Sequence, residues 1–157
     1  MPPDFPFGKH QGKTVEWVCF HDPGYISHLA DENFRLYGPL AVRCKQVLRR
    51  GSHMRVPGIC KWCNIRPITR MLLTRDPAGS LGVVDFNCDE CAPTGSSRTI
   101  ERVPSFFVAD SFHNYDKTGA SILIAAIKGA FFGSPSKRMT QTQMEAFFDE
   151  PKNFVSF

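Results

Sequence analysis

Two Cys-x-x-Cys pairs constrain the fold of this chain more than any other feature of its sequence. They lie in the segments "GICKWCN" at 58–64 and "FNCDECAP" at 86–93. Between them, "ITRMLLTRD" and "LGVVDFN" flank the turn "PAGS" and are rich in β-branched and apolar residues, as hairpin strands are. A hairpin would bring four sulfur atoms around one tetrahedral Zn²⁺, at about 2.3 Å each. The predicted ligands are Cys60, Cys63, Cys88 and Cys91.

Four thiolates would fill the coordination shell, so we expect one structural Zn²⁺ with no open position for a catalytic water. An iron–sulfur cluster also takes four cysteines, and spacing alone leaves it open. A redox site fits less well, because it requires one pair in a thioredoxin-like unit rather than two pairs around a hairpin. The other two cysteines, Cys19 and Cys44, lack an evident histidine partner and are predicted to be core residues.

The cysteines also indicate a compartment. Six cysteines would suit disulfides in a secreted chain, but the N-terminal segment lacks the basic start and apolar stretch of a signal peptide. We therefore expect metal binding in an intracellular, reducing compartment: the cytoplasm, the nucleoid or nucleus, or the host cytoplasm if the protein is viral. No run of about eighteen apolar residues occurs, so no membrane contact is predicted.

The 157 residues divide into three predicted regions of an α+β protein. Residues 1–50 are expected to form a small module with a glycine turn followed by helices, residues 51–93 the zinc-ribbon β-hairpin, and residues 94–157 a helical, aromatic-rich region. In the first region, Thr14 is expected to cap the helix "VEWVCFH", and the turn "DPGY" to begin a second helix. A third helix is predicted over 39–50 from the spacing of its apolar residues.

The third region begins with a Ser/Thr-rich linker, "PTGSSRT", and continues through "VPSFFVADSFHNYD" to the apolar helix "GASILIAAIKGAFFG". A last helix, "TQTQMEAFF", has Thr142 and Glu145 at the spacing of a capping box. The aromatic residues of the tail "NFVSF" are interpreted as core residues, with a partner-docking tail as the alternative. The tetrapeptide "GSHM" at 51–54 also occurs where an affinity tag has been removed; we interpret it as native sequence, with a fusion junction as the alternative.

Basic residues are concentrated in one block. The chain has a net charge of +4, and the segment 33–75 contains ten Lys or Arg and no Asp or Glu. Such a block is typical of proteins that bind a polyanion, although a solvated helix face followed by a basic hairpin gives the same pattern. We predict a nucleic-acid partner, with DNA favoured over RNA. The candidate contacts are Lys9, His10, Lys13, Lys45, Arg49, Arg50, Arg55, Lys61, Trp62, Arg66 and Arg70.

The segment "FPFGKHQGKT" at 5–14 supplies the first three of these contacts. It is similar to a phosphate-binding loop, but only three residues separate its two glycines, where such a loop needs four, so nucleotide hydrolysis is not expected. The glycines instead allow a tight turn with positive φ that holds two lysines and a histidine outward, towards phosphates. On the first zinc knuckle, Trp62 is a candidate for base stacking, with a place in the core as the alternative.

Together with the segment "DPGYISHLA", this loop resembles the exodeoxyribonuclease X-like C-terminal module over about residues 5–50. Trp usually occupies the position of His28 in that family, so the resemblance assigns no packing or stacking role to this residue. The resemblance implies a non-catalytic module that is appended to nucleases and other DNA-metabolism proteins, and therefore a nucleic-acid-handling context. The matching positions are Phe7, Gly8, Lys9, His10, Gly12, Lys13, Thr14, Val15, Val18, Asp22, Pro23, Tyr25, Ile26 and Leu29.

No cluster of carboxylates of the kind that two-metal nucleases require is found, so we expect no enzymatic activity. The favoured function is a non-catalytic, zinc-containing accessory protein that contacts the phosphate backbone of nucleic acid. A protein-interaction adaptor in a larger nucleic-acid-processing complex is the alternative. An HNH-like nuclease is a third candidate, because "SFHNYD" offers His113 and Asn114, but no histidine lies between the cysteine pairs, where such an enzyme has one.

Overall fold

The computed structural model describes residues 3–29, 38–91, 98–108, 112 and 117–155. These residues form an α+β fold with five α-helices and a three-stranded antiparallel sheet, which confirms the predicted fold class. The helices are α1 (Val15–His21), α2 (Pro23–Leu29), α3 (Gly38–Gly51), α4 (Lys117–Phe132) and α5 (Gln141–Asp149). The strands are β1 (Arg70–Arg75), β2 (Leu81–Asn87) and β3 (Thr99–Arg102). None of the helices in the described part of the chain is both long and apolar enough to cross a membrane.

Local sequence signals position the N-terminal helices. The Thr14 hydroxyl accepts a hydrogen bond from the Trp17 amide at 3.2 Å and caps α1, as predicted. The next helix, α2, begins at Pro23, whose fixed φ and missing N–H suit a first turn. Before α1, Gly8 and Gly12 have φ values of 77° and 81°, a region that glycine adopts without strain, so the loop forms the predicted tight turn.

The sheet contains the predicted hairpin and one strand that the sequence pattern did not indicate. Strands β1 and β2 pair antiparallel, with Met71 opposite Phe86. Strand β3 lies on the other side of β1, which gives the order β2-β1-β3. Because Thr99 begins β3 and pairs with Thr74 of β1, the assignment of Thr99 to a linker is wrong.

Aromatic side chains from distant parts of the chain meet in the core. Phe20 of α1 makes edge contacts with Phe106 and Phe147, with ring centroids 5.2 and 5.4 Å apart. Phe154 stacks on Phe148 at 5.7 Å and is 4% exposed, so this aromatic residue of the tail belongs to the core. Edge-to-face and offset pairs contribute about 0.5–1.5 kcal/mol each beyond the burial of their surface.

The segment 51–54 is packed into this core. The Met54 side chain is 2% exposed, and the Met54 amide donates to the Pro104 carbonyl at 2.9 Å. Gly51 lies against Phe107, and a Cβ at this position would be 2.9 Å from the Phe107 ring. The "GSHM" residues are therefore integral to the packing of the protein.

Helix α5 has a capping box, but not at the predicted position. The Thr140 hydroxyl accepts from the Gln143 amide at 3.2 Å, and the Gln143 side chain accepts from the Thr140 amide at 2.9 Å. The prediction that Thr142 and Glu145 form the box is wrong, because both residues lie inside the helix. Both pairs have the same spacing, and glutamine serves at the third helical position as glutamate does.

A network of two ion pairs centred on Arg43 joins α1, α3 and α5, and its Glu16–Arg43 pair is buried. The Glu16 carboxylate is 0% exposed and accepts a hydrogen bond from Arg43 Nε. Arg43 Nη2 also lies 3.0 Å from Asp149 Oδ1. Burial lowers the pKa of Arg43, but hydrogen bonds and charge attraction from the two carboxylates outweigh burial and raise this pKa. The guanidinium therefore remains charged within the fold.

Candidate metal centre

The four cysteines of the two pairs come together at the open end of the β1–β2 hairpin. Their sulfur atoms all lie within 4.8 Å of one another, and Cys63 Sγ is 3.9 Å from Cys88 Sγ. A regular tetrahedron with metal–sulfur distances of about 2.3 Å has sulfur atoms about 3.8 Å apart. The four residues, none of which is in a disulfide, could therefore hold one metal ion. They are the predicted ligands Cys60, Cys63, Cys88 and Cys91.

Backbone hydrogen bonds fold the first pair into a knuckle. The Cys60 amide donates to the Arg66 carbonyl at 2.8 Å, and the Asn64 amide donates to the Cys60 carbonyl at 2.9 Å. Asn64 has a φ of 54°, a left-handed conformation in which asparagine is enriched. Ile59 and Pro67 form an isolated β-bridge that closes the turn. These contacts, all within residues 59–67, explain how a short segment presents two sulfur atoms to the same point.

The hairpin positions the second pair. Cys88 directly follows Asn87, the last residue of β2. The Thr69 amide donates to the Asn87 carbonyl at 3.0 Å, and the Thr69 hydroxyl accepts from the Asp89 amide at 3.1 Å. A single turn of 3-10 helix, Asp89–Cys91, then returns the last sulfur to the first knuckle.

The electrostatics of the four thiols suit a cation. Burial raises the pKa of the Cys60 thiol, but backbone N–H groups, that of Cys63 first, lower it to about 6. Hydrogen bonding with Cys88, and then burial, raise the pKa of Cys91 to about 12. Thiolates this close repel one another, so the whole set loses its protons only when a cation binds among them.

Arg66 lies beside the cluster. Its Nη2 is 2.9 Å from Glu90 Oε2, and attraction to Glu90, followed by contact with the Cys88 sulfur, raises the pKa of Arg66. Four thiolates around a divalent ion would carry a net charge of about −2, which a neighbouring guanidinium partly offsets. The structure thus gives Arg66 a role at the cluster that is separate from the predicted contact with nucleic acid.

The three candidate contacts of the N-terminal loop have different environments. His10 Nε2 is 2.9 Å from Asp22 Oδ2 and its side chain is 15% exposed, so the expectation that His10 points outward is wrong. The Asp22 carboxylate explains the difference, because it offers the imidazole a hydrogen bond within the fold. Lys9 Nζ is 2.8 Å from the same carboxylate but keeps a side chain that is 65% exposed. Lys13 is exposed and lies over the Trp17 ring, 4.8 Å from its centroid.

Carboxylates from outside the basic block 33–75 meet several of its cations. Arg70 Nε lies 3.5 Å from Glu101 Oε1, and Arg50 Nη1 lies 3.8 Å from Asp149 Oδ1. Two further arginines of the block have the carboxylate partners described above. The single-sign block of the sequence is therefore partly neutralised in the fold. The candidate cations that are exposed and lack a carboxylate partner among the described residues are Lys13, Lys45, Arg49, Arg55 and Lys61.

The outer end of the first knuckle is exposed. Trp62 is 55% exposed, which excludes a place in the core, and Lys61 beside it is also exposed. Ile59 and Ile65, which the sequence pattern did not single out, are 52% and 80% exposed. Only the orientation of the folded turn shows that these apolar residues face solvent. We call the four residues Ile59, Lys61, Trp62 and Ile65 the knuckle tip.

Comparison of the chain with protein-family models, with curated proteins and with solved structures finds no match. The resemblance of residues 5–50 to the exodeoxyribonuclease X-like module therefore stays a prediction. His113 and Asn114, the candidate residues of an HNH-like nuclease, lie outside the described residues.

Proposed function

We propose that this chain is a non-catalytic, zinc-containing accessory protein that binds nucleic acid. The observation that carries the proposal is the knuckle tip, where an indole that is 55% exposed stands next to an exposed lysine on a turn that carries two of the four clustered cysteines. Stacking of a base on an aromatic side chain contributes about 1–3 kcal/mol, and a neighbouring cation attracts the phosphate. A rigid turn lowers the entropy lost when both contacts form.

Zinc is the ion that the donor set fits best. Four thiolates with tetrahedral spacing are typical of structural zinc sites. The ion would fix the first knuckle against the hairpin when bound among Cys60, Cys63, Cys88 and Cys91. Because sulfur would take all four coordination positions, the contribution of the ion would be structural. Thiolates of this kind persist in reducing compartments, so we propose an intracellular location.

The contacts favour binding that does not depend on base sequence. Bases would stack on Trp62, while phosphates would meet Lys61 and the other exposed cations. Single strands are favoured over duplexes, because the bases of a duplex are already stacked on one another. The resemblance of residues 5–50 to a module of DNA-metabolism proteins favours DNA over RNA.

Replacing Trp62 by Leu and by Phe tests the proposal. Leucine keeps apolar bulk but has no ring to stack on, whereas phenylalanine keeps a ring. Trp62→Leu should weaken the binding of a short labelled DNA single strand about tenfold, and Trp62→Phe less than about threefold, in fluorescence anisotropy. Val83→Ala, which alters an apolar side chain that is 51% exposed on β2, is the control and should leave binding unchanged. Equal affinities for all three variants would contradict the stacking contact.

A protein-interaction adaptor is the second candidate, and the apolar part of the knuckle tip favours it. Ile59 and Ile65, at 52% and 80% exposure, add apolar surface that binding to phosphates does not use. Exposed apolar clusters often mark protein interfaces. Ile65→Ser should leave DNA binding within about twofold of the native value if stacking on Trp62 dominates. Failure of the unaltered protein to bind DNA at low salt would leave the adaptor as the better function.

A further inference from the structure

A groove lies between the N-terminal loop, α1, α2 and α4. Its volume is about 1030 Å³, and sites for small molecules occupy about 300–1,000 Å³. Phe20 and Ile124 contribute apolar surface, and Trp17 and Tyr25 contribute aromatic walls. Neither the four clustered cysteines nor the knuckle tip lines it, so the groove is distinct from the metal centre.

Cations dominate the charged residues of the groove. Among the described lining residues, Asp22 supplies the carboxylate, and Lys9 and His10 already hold it at 2.8 and 2.9 Å. Burial raises the pKa of Asp22, but these two partners outweigh burial and lower the pKa, so the carboxylate is ionised and neutralised by its neighbours. The further basic residues that line the groove are His21, His28, Lys117 and Lys128.

Lys128 of α4 indicates that a ligand of the groove would carry negative charge. It is half-buried, and no carboxylate pairs with it among the described residues. Burial lowers the pKa of Lys128, and burial followed by the positive charges of Lys128, His10 and Lys13 lowers the pKa of His21. A half-buried cation without a counter-charge costs stability, and a bound anion would relieve that cost.

A flat surface lines the same groove as Lys128. The His21 imidazole stacks on the Trp17 indole, with centroids 3.8 Å apart and planes inclined by 12°. Its Nδ1 donates to the Trp17 carbonyl at 2.7 Å, because a carbonyl can only accept, and this bond fixes the ring. His21 is exposed, so a second planar ring can extend the stack on its outer face.

We propose that this groove binds a nucleoside phosphate, with the base stacked on His21 and the phosphate bound to Lys128. Both a free nucleotide and the terminal nucleotide of a strand present this chemistry. The inference goes beyond the proposed function, since it involves other residues and holds whether or not the knuckle tip binds nucleic acid.

Calorimetric titration with adenosine 5′-monophosphate (AMP), adenosine and inorganic phosphate tests the proposal. AMP should bind with a dissociation constant below about 1 mM, and adenosine and phosphate should each bind at least about tenfold more weakly, because each retains one of the two contacts. Lys128→Gln should weaken AMP binding about tenfold through loss of a charge-assisted hydrogen bond. Lys152→Gln removes the same charge from an exposed lysine that does not line the groove, and should leave affinity unchanged.

Two further measurements separate a binding role of Lys128 from a structural one. Lys128→Gln should keep or raise the thermal midpoint, because it removes a half-buried charge without a counter-charge. In nuclear magnetic resonance titrations, saturating AMP should raise the pKa of His21, because a nearby phosphate favours the charged imidazolium over the opposing effect of Lys128, His10 and Lys13. A variant that unfolds, or a His21 pKa that AMP does not raise, would count against the proposal.

Affinity for AMP no greater than for inorganic phosphate, or unchanged in Lys128→Gln, would overturn the inference. A 5′-phosphorylated oligothymidylate distinguishes the two sources. Binding that is tighter than that of AMP and still reduced in Lys128→Gln identifies the end of a strand as the ligand, and binding that is equal to or weaker than that of AMP identifies a free nucleotide. If AMP does not bind, and oligonucleotide binding is weakened in Trp62→Leu but kept in Lys128→Gln, the groove inference fails while the proposed function stands.

Discussion

Replacing Arg43 by Met tests the buried Glu16–Arg43 ion pair, which joins α1 and α3. The side chain of Arg43 is 14% exposed and that of Glu16 is 0% exposed. Without the arginine, the Glu16 carboxylate would be a buried charge with no cation beside it, which costs about 3–5 kcal/mol. The whole stability of a protein of this kind is about 5–15 kcal/mol, so the loss would be a large fraction of it.

Urea unfolding measures this loss. With an m value of about 2 kcal/mol/M, the midpoint should fall by about 1.5–2.5 M. Arg49→Met is the matched control, because Arg49 is exposed on the same helix without a carboxylate partner among the described residues, and should change stability by less than about 0.5 kcal/mol.

A double-mutant cycle measures the interaction energy between Arg43 and Glu16 apart from their other contacts. Adding Glu16→Gln to Arg43→Met removes the orphaned charge, so the double variant should be more stable than the sum of the single effects by about 1–3 kcal/mol. Equal midpoints for Arg43→Met and the Arg49→Met control would refute the reasoning that Arg43 holds a buried charge in place.

Three further results are expected. A strong zinc chelator should remove the metal and unfold the hairpin, because metal binding and folding are coupled in four-cysteine sites. A circular dichroism spectrum that the chelator leaves unchanged would contradict this expectation. Thr140→Ala should lower the free energy of unfolding by about 1 kcal/mol in thermal unfolding, because it removes the cap of α5. Thr142→Ala, within α5, should cause no measurable loss. Equal losses in the two variants would contradict the cap at Thr140 and support the predicted box at Thr142. Burial, and then the charge of Glu16, raise the pKa of Cys44 to about 11. Alkylation of the Cys44 thiol should therefore be slow at neutral pH and become faster as the pH approaches 11. Rapid alkylation at neutral pH, detected by mass spectrometry, would contradict the burial of Cys44.

Features set by short segments could be predicted from the sequence. The cap at Thr14 and the helix start at Pro23 depend on neighbours within a few residues. The four cysteines were predictable because the spacing within each pair shapes a knuckle and the intervening hairpin closes the distance between the pairs. These signals lie within short segments and do not depend on the rest of the fold.

Features set by contacts between distant segments could not be predicted. Arg43 pairs with Asp149, which lies 106 residues away in the sequence. The charge pattern of the segment 33–75 therefore overstates the positive charge that is free to meet a polyanion. Strand β3 is only four residues long and is defined by its pairing with β1. The inward turn of His10 depends on Asp22, and the groove needs α4 to lie beside α1. Spacing within one segment carries no information on such partners.

The most direct test of nucleic-acid binding is a salt titration of the metal-loaded protein with single- and double-stranded DNA and RNA. Between about 50 and 200 mM salt, we predict that binding to single-stranded DNA weakens linearly on logarithmic axes. The slope should be about −2 if about three of the exposed cations contact phosphates, because each contact on a single strand contributes about −0.7. Single-stranded DNA should bind more tightly than duplex. Absence of binding to all four polymers at the lowest salt would contradict the proposed function.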